Sequence, residues 1–365
     1  MRIKLKDAFE LQIGKTPSRN KSEYWNGVYK WVSVSDIGNS EKYVYSTREL
    51  ITDKGIIDSG IKVIPKGTVI MSFKLSIGKT AITTEDMYTN EAIVAFIDKK
   101  KISIDIDYLY YLCSGSNWMQ GVNKAVMGLT LNKATLSEKE INIPNIEIQK
   151  KCAGNLDKID RIIDLKKQQL DQLDLLVRSL FIEMFGDPSM NPKGYPEKSL
   201  SEITEYWNGL IYKPEDVSNE GTIVLRSSNI RNATLDFEDI VRVSCKIGDK
   251  KYVQDNDILM CSRNGSARLV GKVALIKDID EPMSFGAFMI IIRSPYYQYL
   301  MTYFQMPAFR AQITTGATTT INQITVRMLD SVKLPVPELD FINEFSDFIK
   351  PIDKSKYSSF SHLSA

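Results

Sequence analysis

The chain has 365 residues, enough for two or three domains that each bury their own core. Its 47 basic and 45 acidic side chains leave a formal net charge of +2, which excludes a polycation that holds nucleic acid through bulk electrostatics. No apolar run approaches the roughly 18 residues of a membrane span, the first residues lack a signal-peptide stretch, and Cys113, Cys152, Cys245 and Cys261 show no CxxC spacing. The expectation is a cytoplasmic protein with no membrane association, no metal site and no disulfide framework.

Taken in chain order, residues 1 to about 140 mix short β-rich runs with turn signals, and residues 29–34, 67–73 and 91–97 are predicted strands. A helix is predicted to start at Asp107. Residues 146–185 follow a different rule. With Leu156, Ile163, Leu170, Val177 and Met184 at heptad position a, position d holds Cys152, Ile159, Lys166, Leu173 and Leu180. Nine of these ten are apolar, the pattern of a coiled-coil seam, and about 40 residues at 1.5 Å each give a helix of about 60 Å. Gly186-Asp-Pro188 and the Pro-rich stretch after it end the helix.

The β-rich pattern then returns, with predicted strands at 222–226, 257–261, 271–276 and 287–292 and a helix at 297–306. Trp31-Val-Ser-Val-Ser-Asp-Ile37 matches Val224-Leu-Arg-Ser-Ser-Asn-Ile230, and Ile77-Gly-Lys79 matches Val270-Gly-Lys272, both at a spacing of 193 residues (224 − 31; 270 − 77). The junction Ile143-Pro-Asn-Ile-Glu-Ile148 recurs as Val336-Pro-Glu-Leu-Asp-Phe341 at the same spacing. A period this long is domain duplication. Phe345, Ile349 and Ile352 match Cys152, Leu156 and Ile159, so the end of the chain supplies a second seam, expected to be shorter and compromised by Pro351. Glu23-Tyr-Trp-Asn-Gly27 and Glu205-Tyr-Trp-Asn-Gly209 sit 182 apart (205 − 23), out of register, and are read as coincidence.

No catalytic machinery is visible. The one histidine, His362, is the fourth residue from the end and cannot serve a triad. Gly14-Lys-Thr16 and Gly78-Lys-Thr80 suggest phosphate loops, but the glycine such a loop needs five residues earlier is Phe9 in one and Phe73 in the other. Asp105 and Asp107 lack a third metal ligand and fit helix capping better.

What remains is a recurring alphabet for contacting nucleic acid. Residues 62–84 hold four lysines and no acid, and 258–277 hold Arg263, Arg268, Lys272 and Lys277 and no acid. Sequence readers combine phosphate contacts from basic side chains and hydroxyls with base-edge contacts from Arg, Lys, Asn and Gln. The candidates, each in an expected hairpin loop or strand end, are Lys74, Ser76 and Lys79 against Arg263, Asn264, Arg268 and Lys272. Two further matched sets are Thr130, Asn132 and Lys133 against Thr319 and Asn322, and Ser33 and Ser35 against Arg226, Ser228 and Asn229. Ser, Thr and Asn at strand ends are as readily simple turn formers. The loops diverge more than the strands, as two readers of unlike half-sites would.

As an ordered set, Gly14-Lys-Thr-Pro-Ser-Arg19, Glu23-Tyr-Trp-Asn-Gly27, Trp31 to Ile37, Ile143 to Gln149 and Leu180-Phe-Ile-Glu-Met-Phe-Gly-Asp-Pro188 resemble the specificity subunits of type I restriction-modification systems, over essentially the whole chain. The resemblance adds Lys15 and Arg19 to the candidate contacts. It implies an α+β protein with two similar target recognition domains on curved β-sheets, at 1–145 and 188–335, joined by long helices at 146–187 and 336–365 that pair as an antiparallel coiled coil. Leu156, Ile159, Ile163, Leu170, Leu173, Val177, Leu180, Phe345, Ile349 and Ile352 would form that seam and the subunit interface. Each domain would read one half of a bipartite site in double-stranded DNA, and the helices would set the gap and dock two modification subunits. S-adenosylmethionine, ATP and Mg are implied for the modification and restriction/translocase partners, and no cofactor for this chain. The competing expectation is a protein-only scaffold, two β-rich modules on a coiled-coil strut. One departure is plain: Ile342 stands where the first copy has Gln149.

Overall fold

The computed structural model of the chain describes residues 1–74, 76–119, 131–314 and 322–361, so Thr130, Thr319 and His362 lie outside the described residues. The chain divides into two compact units, Met1–Asp164 and Leu165–Ala365. The first contains β1 (Arg2–Lys4), β2 (Phe9–Ile13), β3 (Trp25–Val32), β4 (Tyr43–Val44), β5 (Glu49–Ile51), β6 (Val69–Ser72), β7 (Thr80–Thr83), β8 (Tyr88–Thr89), β9 (Ile93–Asp98) and β10 (Glu140–Asn142). The second contains β11 (Glu197–Ser199), β12 (Glu205–Asn208), β13 (Val217–Ser218), β14 (Thr222–Leu225), β15 (Ile230–Arg231), β16 (Thr234–Leu235), β17 (Arg242–Val243), β18 (Ile258–Cys261), β19 (Val273–Leu275), β20 (Met283–Phe285), β21 (Met289–Arg293) and β22 (Lys333–Pro335).

The main sheet runs β2-β9-β6-β7-β4 in the first unit and β12-β21-β18-β19 in the second. Its strands read as nearly continuous apolar runs because both faces are covered, and alternate residues part to opposite sides. Met71, Val94 and Phe96 face a core shared with Leu109 and Cys113 of the helix Ile106–Gly115, while Ile70, Ile93 and Ala95 face a second core with Val32 and Ile37. The second unit repeats the division: Met260, Ile290 and Ile292 go to one side and Leu259, Cys261 and Ile291 to the other. Phe9 and Phe73, which replace the phosphate-loop glycines, are both core residues at 1% exposure.

The second sheets correspond as well. β3 pairs parallel with β8 and β14 with β20, so that Trp31 faces Tyr88 and Val224 faces Ser284. β1 pairs with β10 and β11 with β22. The spacing between equivalent residues is not constant: it is 193 at Gly78 and Gly271 but 189 at Ser72 and Cys261 (261 − 72), because the connecting loops differ in length while the strands keep their registers. The two Glu-Tyr-Trp-Asn segments occupy different elements. Tyr24 ends a short turn before β3, whereas Glu205–Asn208 is β12 paired with β21, so their likeness is accidental.

A single 40-residue helix, Ile146–Phe185, belongs in part to each unit. At its start Gln149 is fully buried, its Oε1 accepting from Asp105 N–H (2.8 Å) and its Nε2 donating to Ser103 O (3.0 Å) and Pro144 O (2.9 Å). Lys42 Nζ bridges Asp107 (2.8 Å) and Asp157 (2.5 Å), and Tyr111 OH donates to Asp160 (2.7 Å). These charged and amide clamps fix the helix to the first unit. At its other end Phe181 and Phe185 stack with Tyr299, Phe341 and Phe345 inside the core of the second unit.

The C-terminal helix, Leu339–Ser361, carries Pro351 in its interior and has 23 residues. Phe181 meets Phe345, Phe185 meets Phe341 and Lys356 pairs with Asp174 (2.6 Å), so within the second unit the two helices run antiparallel. Phe345 and Ile349 are buried there and Ile352 packs at the edge. The predicted continuous seam needs correction. Leu170 and Val177 are buried and Ile163, Leu173 and Leu180 half-buried, but Leu156 is 38% and Ile159 51% exposed. A 23-residue helix can flank little more than half of a 40-residue one, and the strongest contacts come from Phe181 and Phe185, which lie off the a and d positions. Ile342 replaces the Gln149 clamp with a buried apolar contact.

Candidate nucleic-acid interface

The acid-free stretches form hairpin loops, and the two loops are closed by the same bonds. Ser72 N–H donates to Lys79 O (2.8 Å) and Gly78 N–H to Ser72 O (2.9 Å), while Cys261 N–H donates to Lys272 O (2.8 Å) and Gly271 N–H to Cys261 O (2.7 Å). Gly78 and Gly271 close the loops at φ of 93° and 76°, a region that favours glycine. Between these fixed ends the first loop has six residues (73–78) and the second ten (262–271). In the first, Ser72 Oγ donates to Ser76 O (2.6 Å) and accepts from Lys79 N–H (3.1 Å), which holds the turn. Ser76 and Lys79 are exposed, and Lys74 is half-buried with its ammonium 5.5 Å from the Phe73 ring.

In the second unit the three predicted segments converge. Asn264 Nδ2 donates to Ser227 Oγ (3.1 Å), Asn322 Nδ2 donates to Gly265 O (3.3 Å) and Ile324 N–H to Ser262 O (2.7 Å). Lys272 Nζ reaches Ile230 O at 3.5 Å. Arg263 lies 5.3 Å from the ring of Phe288, and Arg268, on the same loop, is exposed to solvent. A basic, amide-bearing surface without a carboxylate in 258–277 results, suited to phosphates and base edges.

Other candidates turn out to hold the backbone. Ser33 caps the helix Val34–Asn39, with Asp36 reciprocating by accepting from Ser33 N–H (2.8 Å), and Ser35 Oγ lies 2.8 Å from Ser33 Oγ. Asn229 does the same for Arg226 N–H (2.8 Å) and donates to Asp236 O (2.8 Å) and Asp239 O (3.0 Å). At 1% exposure its amide is spent inside the protein, which corrects its reading as a contact residue. Arg226 pairs with Asp239 (2.7 Å), Ser228 is exposed, and Asn132 caps the short helix Lys133–Ser137 by accepting from Thr135 N–H (2.9 Å), leaving Lys133 exposed.

Lys15 and Arg19 are also committed. Lys15 Nζ donates to Ser59 O (3.1 Å). Arg19 grips Glu49 with two guanidinium nitrogens and lies 3.9 Å from the Trp25 ring centroid, which keeps its own pKa above and that of Glu49 below the usual values. The glycine before Lys15 has a packing reason: a Cβ on Gly14 would fall 2.0 Å from Thr89 O, and one on Gly209 2.2 Å from Gly286 O. Among the described residues no group of three or more His, Cys, Asp or Glu is placed to hold a metal ion, and no helix is long and apolar enough to cross a membrane.

Residues 1–175 match the type I restriction modification DNA specificity domain. The MjaIX specificity subunit of Methanocaldococcus jannaschii is 32% identical over 226 residues, 56% of this chain and 52% of that one. The MjaVIII specificity subunit of the same organism is 22% identical over 96% of this chain and 85% of its own. The crystal structure of the S subunit from M. genitalium superposes on the whole chain with a TM-score of 0.54 at 13% identity, covering 92% of that chain.

The chain is similar to type I restriction-modification specificity subunits.

The EcoR124I/EcoR124II specificity subunit of Escherichia coli is 27% identical over 56% of this chain and 47% of its own length, so the chain spans about half the length of the MjaIX and EcoR124I relatives. A second solved structure, described for complex assembly and conformational transition of a type I system, shares the fold with a TM-score of 0.57 over 100% of this chain and 93% of its own. What sequence reading missed is the turn before β9 and β21, where Glu91 and Phe288 are exposed beside the hairpins. Exposure of a single apolar residue has no signature in sequence.

Proposed function

We propose that this chain is the non-catalytic recognition subunit of a type I restriction-modification complex, each unit reading one half of an asymmetric bipartite site in double-stranded DNA. The observation that carries this reading is the hairpin built twice, with the same closing hydrogen bonds and different length and basic side chains. Identical scaffolds with unlike readers fit two unlike half-sites better than one palindrome. The 40-residue helix would fix the half-site spacing. Its exposed Ile162, Leu165, Leu175 and Leu176 favour docking of modification subunits, which would bring S-adenosylmethionine, with ATP and Mg belonging to restriction partners.

A protein-only scaffold would use the same helix surface but gives no role to two acid-free hairpins. Mapping methylated adenines across the genome with and without this gene tests the reading. A bipartite motif that vanishes with the gene is expected, and an unchanged methylation map would sink the proposal. The purified chain with S-adenosylmethionine and DNA should transfer no methyl group.

A further inference from the structure

The turn entering β9 is also built twice. Asn90 N–H donates to Val32 O (3.0 Å) and Ile93 N–H closes on Asn90 O (3.2 Å), just as Gly286 N–H donates to Leu225 O (2.9 Å) and Met289 N–H closes on Gly286 O (2.9 Å). Each turn is tied to its hairpin loop, through Phe73 N–H to Ala92 O (2.9 Å) in one unit and through Ser262 N–H (2.9 Å) and Arg263 N–H (3.2 Å) to Phe288 O in the other. Asn90-Glu91-Ala92-Ile93 therefore corresponds residue for residue to Gly286-Ala287-Phe288-Met289.

On this shared backbone the side chains are unlike. Ala92 is 9% exposed, while Phe288 is 57% exposed. These four backbone hydrogen bonds hold the Phe288 turn against the loop base, so the ring is presented by a fixed frame and not by a slack loop. Its neighbour is the Arg263 guanidinium at 5.3 Å, with Asn264 held next to it by Ser227. Guanidinium and amide groups read purine edges in the major groove, and an aromatic or methyl-bearing side chain reads the thymine methyl.

We propose that Phe288 is a specificity-determining residue of the second unit, packing against a thymine methyl while Arg263 and Asn264 contact neighbouring base edges. The matched position of the first unit is the buried Ala92, and the Glu91 carboxylate beside it accepts a hydrogen bond from Thr16, so the first turn presents no aromatic ring and the two turns select differently. The inference rests on the DNA-reading function proposed above.

The test uses the full chain in the complex it forms in its own cells, selected on randomised double-stranded DNA and then measured on its preferred site with each thymine replaced in turn by deoxyuridine. For the wild type, removal of one methyl in one half-site should weaken binding roughly tenfold. Phe288→Ala should lose preference at that position and become indifferent to the methyl, Phe288→Leu should retain part of it, and the other half-site should be unchanged. Unaltered preference in Phe288→Ala, or a loss of affinity spread evenly over all sequences, would overturn the assignment while the DNA-reading function stands. A wild-type complex with no bipartite preference would remove the function itself.

Discussion

At the scale of single residues, backbone proximity explains what motif reading could not. Gly14 stands at the start of a Gly-Lys-Thr triplet, yet its lack of a side chain serves the approach of Thr89, and Gly209 repeats the arrangement without the triplet. Gly14→Ala and Gly209→Ala should each destabilise their unit by about 1–3 kcal/mol, read from urea unfolding, because the obstructing atoms are carbonyls that cannot rotate away. A melt identical to wild type would contradict the close approach. Glu49 gives a pH signature. Its carboxyl is held below the usual range chiefly by the Arg19 hydrogen bond, against the opposing effect of partial burial. A folded-state pKa below the unfolded value means the stabilisation is present above about pH 4.3 and is lost as pH falls through the folded value. Unfolding curves of Glu49→Gln should therefore show a shallower loss of stability on acidification than wild type, the two converging at low pH. For DNA, the Arg263→Gln and Arg268→Gln double variant should weaken binding, relax specificity through the base-edge contact of Arg263, and flatten the dependence of log affinity on log salt by about one unit through the phosphate contact of Arg268. Equal slopes for variant and wild type would place Arg268 away from the phosphates.

At the scale of elements, the heptad pattern was readable and its consequence was not. Leu170 and Val177 are buried, whereas Ile159, on the same seam, is 51% exposed. Burial follows the partner, and the partner helix has 23 residues against 40. Phe181→Ala should cost about 3–5 kcal/mol in the second unit, since the ring is fully buried among Tyr299, Phe185 and Phe345. Leu156→Ala should cost under about 1 kcal/mol in the isolated chain, because that side chain is already 38% exposed. Equal penalties in calorimetry would restore the uniform seam. The capping pairs at Ser33 with Asp36 and Arg226 with Asn229 carry a related lesson: the polar residues after β3 and β14 shape the chain for the hairpins beside them.

At the scale of the molecule, duplication with divergence is the organising fact. Strand registers agree between units while hairpin length, the residue on the β9 and β21 turn and the junction residue (Gln149 or Ile342) all differ. Replacing 262–271 by the six-residue loop 73–78 should alter one half of the methylated motif and leave the other intact, as methylome sequencing would report. A change in both halves would mean that the units do not read independently.

From sequence alone follow the two copies, the helix between them, the sheet strands and the acid-free loops, because each is encoded by local periodicity or by repetition. Register was legible only where the copies share a constant spacing, since loops of unequal length shift it from 193 to 189 without touching a strand. Tertiary structure alone decided which polar residues face solvent. Asn229 and Asn264 have the same chemistry, but one is consumed within its own turn and the other stands at the surface between three segments. Asn264 meets Ser227 from 37 residues away, whereas Asn229 is spent on partners within ten residues, and only the folded chain shows which of the two amides is left at the surface.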